Sequence, residues 1–247
     1  MMDLKRIIIP MLLMMSFGGK AQEYLTESSE NQMSDLPAQA YEIIGSQEEE
    51  MDDTILTARK MYDKGRAAYN KKDYTEALEW YRKAAEQGFA SAQNNLGAMY
   101  HEGSGVPQDY IEAVAWYRKA AEQGLAAAEC NLGNMYRKGY GVKRDNKEAV
   151  RWIRKAADQG YPVGQYLLGY MYISGLGVSE NYSKGEEWML KAAEQGLAIA
   201  QYNLGCLYQY VEYDLRKAKK WYRKAAKQGH TKAIDRLKEL GVPVGEL

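Results

Sequence analysis

The chain has 247 residues, with 33 basic and 33 acidic side chains, two Cys and two His. A charged fraction of 27% excludes a polytopic membrane protein, and a hydrophobic content of 46% excludes a wholly disordered chain. Two Cys exclude a disulfide-dense scaffold and a four-cysteine zinc site, and two His leave little for histidine-based catalysis. The aromatic usage, 21 Tyr and five Trp against two Phe, points to a motif repeated along the chain.

At the N-terminus, Lys5 and Arg6 precede an apolar run from Ile7 to Phe17, and Gly19 and Ala21 follow as a small-x-small exit. The run is about half the length of a spanning helix. Residues 1–21 are therefore expected to be a secretory signal, which places the protein in the cell envelope (periplasm) or outside the cell. Cleavage there leaves no integral membrane span; an uncleaved anchor is the alternative. From Gln22 to Asp53 there are ten acids and no Lys or Arg, in a stretch rich in Ser and Gln. It reads as a disordered acidic arm, with a brief helical turn over 38–44. Residues 54–247 carry 30 bases and 22 acids. The arm is either a solvated spacer or a segment that folds back on this basic remainder and competes with an acidic partner.

Three 36-residue repeats follow, over 90–125, 126–161 and 162–197, and a fourth over 198–230 is three residues shorter at the turn. In the first half of each repeat, Ala92, Leu96, Met99 and Tyr100 and their equivalents lie at helical spacing. A glycine recurs inside this helix (Gly97, Gly133, Gly169, Gly205), at a cost of about 1 kcal/mol against Ala. Close approach of a neighbouring helix is the expected return. A Gly-x-Gly turn follows, then a second helix opened by Asp109-x-x-Glu112 or Asp145-x-x-Glu148, which read as capping boxes. Ala113, Trp116, Tyr117, Ala120 and Ala121 form its apolar stripe, and Gly124 and its equivalents close it. Such a helix pair cannot bury its own face, so neighbours must stack.

Leu-Gly, Tyr, Gly-x-Gly-Val, Trp and Ala-Ala-x-Gln-Gly at these places resemble the Sel-one-like repeat, a relative of the tetratricopeptide repeat. Residues 54–89 lack Gly-x-Gly, and Gly65, Ala77, Tyr81 and Ala84 resemble an ordinary tetratricopeptide unit. Residues 231–247 are expected to be a polar capping helix and tail. The resemblance implies an all-α chain of about eleven helices in a right-handed α-α superhelical solenoid of stacked antiparallel pairs.

No catalytic motif emerges. Gly103-Ser104-Gly105 is an inter-helix turn rather than a nucleophile elbow, and His101-Glu102 lacks a second His for zinc. Cys130 and Cys206 lie two repeats apart, too far for a disulfide. A cysteine-rich branch of the resembled family is linked to β-lactam hydrolysis, but its paired cysteines in each repeat are absent here. No cofactor, metal or nucleic-acid partner is expected. The resemblance implies a non-catalytic scaffold that takes a protein or peptide in a groove lined by the first helices. An enzyme, or a regulator of one, acting on cell-wall material is the alternative.

Counting from each motif glycine, the groove positions are Asn94, Ala98 and His101; Cys130, Asn134 and Arg137; Tyr166, Tyr170 and Ile173; Tyr202, Cys206 and Gln209. Tyr166, Tyr170 and Tyr202 are expected either to form an exposed aromatic anchor of the kind found in binding hot spots or to pack between first helices. Asn94, Asn134 and Arg137 would set orientation, and His101 would lie on the surface. Arg-Lys pairs at 82–83, 118–119, 154–155 and 223–224 place a basic ladder on the second helices. A solvated face paired with Glu or Asp is the expected reading of it, ahead of nucleic-acid binding.

Overall fold

The computed structural model describes residues 53–243. The expected signal (1–21), the acidic arm up to Asp52 with its turn at 38–44, and residues 244–247 of the tail lie outside the described residues. Eleven helices, and no strand, occur among the described residues: α1 (Asp53–Asn70), α2 (Tyr74–Glu86), α3 (Ala90–Glu102), α4 (Tyr110–Glu122), α5 (Ala126–Lys138), α6 (Asn146–Asp158), α7 (Pro162–Ser174), α8 (Tyr182–Glu194), α9 (Ala198–Tyr210), α10 (Leu215–Lys227) and α11 (Thr231–Glu239). They form two compact bodies, residues 53–152 and 153–243, which divide inside α6.

In the first body, the glycines inside α1 and α3 each meet an aromatic ring of the paired second helix. A Cβ on Gly65 would lie 2.6 Å from the Tyr81 ring, and one on Gly97 would lie 2.8 Å from the Tyr117 ring. Both tyrosines are buried, so the missing side chain is what lets the paired helices close. The second glycine of the turn serves the stacking of one repeat on the next. Gly105 has φ +70°, and a Cβ there would lie 2.6 Å from the Tyr74 carbonyl oxygen at the start of the preceding second helix. Gly141 meets the Tyr110 carbonyl in the same way. Any L-residue at these turns would be strained by its φ and would clash as well. Ala77, Ala84, Leu96, Met99, Ala113, Ala120 and Leu132 fill the core between.

In the second body the pattern holds with other residues. Gly205 faces the Tyr222 ring, at 2.5 Å from a built Cβ. Gly169 of α7 faces Gly185 of α8, so here both helices give up a side chain. The short α11 buries Ala233 and Leu237 and leaves its charged residues outside.

The second helices are capped by Asp73, Asp109, Asp145, Asn181 and Asp214, whose side chains accept backbone N–H bonds from the first turn. The capping boxes are not reciprocal as the spacing predicts. The backbone N–H of Asp109 donates to the Tyr100 carbonyl, and that of Asp145 to the Tyr136 carbonyl, at 2.8 and 3.0 Å. Glu76 and Glu148 accept instead from the indole N–H of Trp80 and Trp152, four residues on. The cap thus ties the second helix to the end of the first, which fixes the angle of the pair.

Candidate partner-binding face

Three ladders of side-chain bonds join one repeat to the next. The first runs along the first helices. In the first body, Asn131 Nδ2 donates to Asn94 Oδ1 at 2.9 Å. In the second body, Asn203 Nδ2 donates to the Tyr166 hydroxyl at 2.7 Å. Both pairs are 37 residues apart, so they are the same rung with different chemistry. The second ladder uses the Gln of Ala-Ala-x-Gln-Gly. Gln123 Nε2 donates to Gln93 Oε1 and to the Gly88 carbonyl; Gln195 does so to Gln165 and Gly160, and Gln228 to Gln201 and Gly196. Glu129 occupies the position of Gln93, Gln165 and Gln201 in its repeat and is also buried.

The third ladder lies on the outer basic face, which is solvated as expected but differs in its partners. Arg82, Arg118 and Arg154 donate to the hydroxyls of Tyr100, Tyr136 and Tyr172 in the next repeat, at 2.7–2.8 Å. Lys83, Lys119, Lys191 and Lys224 lie over the rings of Trp80, Trp116, Trp188 and Trp221, at 3.8–4.6 Å. Most of these cations therefore bind aromatic groups within the scaffold in place of the expected Glu or Asp partners, although Lys191 also pairs with Glu187 at 2.9 Å. Leu190 replaces the arginine in α8, and the Tyr208 hydroxyl there donates to Glu186 Oε1 at 2.7 Å.

The groove tyrosines do not form an exposed patch. Tyr166 and Tyr170 are each 2% exposed and Tyr202 is 4% exposed. Tyr166 is held by Asn203, and Tyr202 stacks on His230 at 4.7 Å and packs against Tyr222 at 5.7 Å. Burial, and then Cys206, push the Tyr202 phenol well above its ordinary value. Gln209 is half-buried and accepts from the Tyr222 hydroxyl at 2.8 Å. Ile173 is buried in α7, where it packs against Gly185 of α8.

His101 is buried too, in place of the surface position expected of it. Its ring packs on Tyr110 at 5.4 Å and Tyr140 at 6.3 Å, and these two rings stack on each other at 4.7 Å. Burial, reinforced by Lys138, lowers its pKa to about 4, so the imidazole is neutral at pH 7. Neighbouring Glu102 is shifted upward by burial, partly offset by hydrogen bonds from Ser104 and Tyr69. Cys130 and Cys206 are free and buried, and burial pushes the Cys130 thiol up to about 12. Such a thiol is a poor nucleophile at neutral pH. No group of three or more His, Cys, Asp and Glu side chains able to hold a metal ion occurs among the described residues.

What the first-helix face of the first body offers is polar. Asn94 and Asn134 are buried with their bonds running along this face: Asn94 with Asn131, and Asn134 accepting from Arg137 Nε and Nη2 at 3.1 and 2.6 Å. Arg137 and Ala98 are half-buried beside them. The recurrence of Asn95, Asn131 and Asn203 at one repeat position was the available signal for these rungs. It escapes a reading that starts from exposed groove positions.

No helix among the described residues is long and apolar enough to cross a membrane. The Sel1 repeat model matches residues 57–89, 90–125, 126–161, 162–197 and 198–230, so the segment read as tetratricopeptide-like matches the same family. No curated protein matches the chain. Among solved structures, a Sel1 repeat protein from Oxalobacter formigenes is 35% identical, with a TM-score of 0.68, over 74% of this chain and 78% of that one. A protective antigen present in uropathogenic Escherichia coli strains, displaying an SLR fold, is 38% identical with a TM-score of 0.61. That match covers 71% of this chain but only 39% of the antigen. The immunity protein Pa5087 from Pseudomonas aeruginosa is 30% identical with a TM-score of 0.55, over 74% of this chain and 69% of that one. With five repeat matches laid on the helix pairs described above, the chain belongs to the Sel1 repeat family, an all-α fold of stacked antiparallel helices.

Proposed function

We propose that the protein is an exported, non-catalytic scaffold that holds a protein or peptide on its first-helix face, with Asn94, Asn134 and Arg137 of the first body as the recognition row. The observation that carries this reading is the direction of the bonds: Arg137 donates to Asn134 within α5, and Asn94 bonds to Asn131 and Asn95 along the face, so none of the three closes a helix pair. A carboxamide offers a donor and an acceptor together, as a peptide backbone does, and a guanidinium adds a fork suited to a carboxylate. Likeness to an immunity protein supports an interaction role. Export rests on the charged start, short apolar run and small-residue exit of residues 1–21. An enzyme acting on cell-wall material finds no support in the two cysteines, which are single and buried.

Affinity capture from the native cell envelope tests the reading, comparing the wild-type chain with Asn134→Ala/Arg137→Glu. The double variant should lose its main captured protein while keeping the helical circular-dichroism signal. Equal capture by both chains would move the site off this face.

A further inference from the structure

The last second helix differs from the other four. In α10, Arg216, Lys217, Lys219, Lys220, Arg223, Lys224 and Lys227 are seven cations with no acid. Four of them, Arg216, Lys220, Arg223 and Lys227, recur at i, i+4, i+7 and i+11, which aligns them in one stripe about 16 Å long. That stripe lies opposite the buried Ala218, Trp221, Tyr222, Ala225 and Ala226. Every other second helix ends the same stripe on an acid: Glu86, Glu122, Asp158 or Glu194.

Nothing within the described scaffold accounts for this charge. Lys217 pairs with Glu212 and Asp214 at 3.6 and 3.9 Å, and Lys224 lies over Trp221. The four stripe cations have no acidic partner among the described residues. Arg223 is the telling case: its counterparts Arg82, Arg118 and Arg154 bind a tyrosine 18 residues on, and here that place is Gly241. The arginine is present without its structural partner.

A second observation lies at the start of the stripe. The shortened turn of this repeat puts Tyr213 at φ +57°, a left-handed backbone that an aromatic residue rarely adopts, with its side chain 72% exposed. Leu215 is 49% exposed. Only Ile111 joins these two as a large exposed apolar side chain among the described residues.

From this juxtaposition we infer that α10 and its leading turn dock on an anionic phospholipid surface, the cations against the headgroup phosphates and Tyr213 and Leu215 inserted at the interface. Headgroup phosphates meet a row of cations, and the interface accepts an amphipathic ring and an aliphatic side chain. A nucleic-acid duplex would satisfy the cations but give no apolar environment to Leu215; the chain's own acidic arm, which also carries Leu25, Ile43 and Ile44, is the rival occupant that the test separates.

The test reports from the contact itself. In the full chain, Tyr213→Cys carries a polarity-sensitive dye, the two native cysteines being buried. Vesicles one-third phosphatidylglycerol should shift its emission to the blue, and pure phosphatidylcholine vesicles should not. Adding Lys220→Glu/Arg223→Glu/Lys227→Glu should raise the lipid needed at least tenfold. One molar salt should remove the shift from the parent protein without any further substitution, since screening then acts within about 3 Å. No shift on anionic vesicles, or a shift indifferent to both salt and charge reversal, overturns the proposal. A shift produced by a peptide of residues 22–53 or by duplex DNA, with vesicles silent, overturns it in favour of a polyanion.

Discussion

The two bodies build the same rung from different groups. In the first, Asn131 meets Asn94, an amide on an amide; in the second, Asn203 meets the Tyr166 phenol. The surrounding helices differ to match. α5 buries eight consecutive residues, Ala128–Met135, three of them polar (Glu129, Asn131 and Asn134), whereas α7 buries every residue from Pro162 to Ile173, almost all apolar. Yet the glycine inside the first helix and the glutamine bonds between repeats recur in both. The repeat therefore constrains a few contact positions and leaves the chemistry of the first-helix face free. That freedom is why a polar row can sit on one body and packed tyrosines on the other.

Substitutions should separate the shared contacts from the variable ones. The largest effect is expected at a shared one: Gly97→Leu forces a side chain into the Tyr117 ring and should cost about 3 kcal/mol or more in urea unfolding. The same change at Gly124, which has no atom within 4 Å of a built Cβ, should cost less and only through its positive φ. Equal losses at both would mean that Gly97 is not a packing glycine.

The variable rung comes next. Tyr166→Phe removes the acceptor of a buried amide and should cost about 1–3 kcal/mol, although the ring itself stays. A stability change within error would show that the rung contributes nothing. A smaller difference should separate Arg118→Met from Arg223→Met. The first loses a bond to Tyr136 on an exposed surface, worth at most about 1 kcal/mol, and the second loses none. The ladder reading fails if the two variants melt alike.

His101 supplies a pH signature. Its folded pKa of about 4 lies below the ordinary 6.5, so between these values the unfolded chain binds more protons than the folded one. Its contribution to stability is complete above pH 6.5 and is lost as pH falls towards 4. His101→Asn should therefore flatten the decline of the urea midpoint between pH 6.5 and 4. An unchanged slope would place the acid sensitivity elsewhere.

Much of the fold is legible in the residues. The 36-residue period, the helical spacing of Ala92, Leu96 and Tyr100, and the recurrent internal glycine lead directly to the stacked helix pairs. The groove tyrosines were harder, because Tyr166 and Tyr202 occupy positions where a ring can face a partner or a neighbouring helix. Which one holds depends on Asn203 and His230, residues distant in the chain. The Arg-Lys pairs misled for a related reason. Their charge suggests an acidic partner, while the tyrosine hydroxyl and tryptophan ring that engage them become neighbours only after stacking. Arg223 shows the converse: absence of the tyrosine 18 residues later was visible from the start, and it acquires meaning only beside the three arginines that have one.

The reading of the first-helix face of the first body as the partner site can be tested by contact alone. A photo-crosslinking amino acid placed at Ala98, half-buried on α3 beside the polar row, is compared in cells with one at Ala115, exposed on the second helix α4. The account predicts a discrete adduct with another protein from position 98, lost on Arg137→Glu, and no such adduct from position 115. An adduct from position 115 alone would contradict the account and put the partner on the second helices.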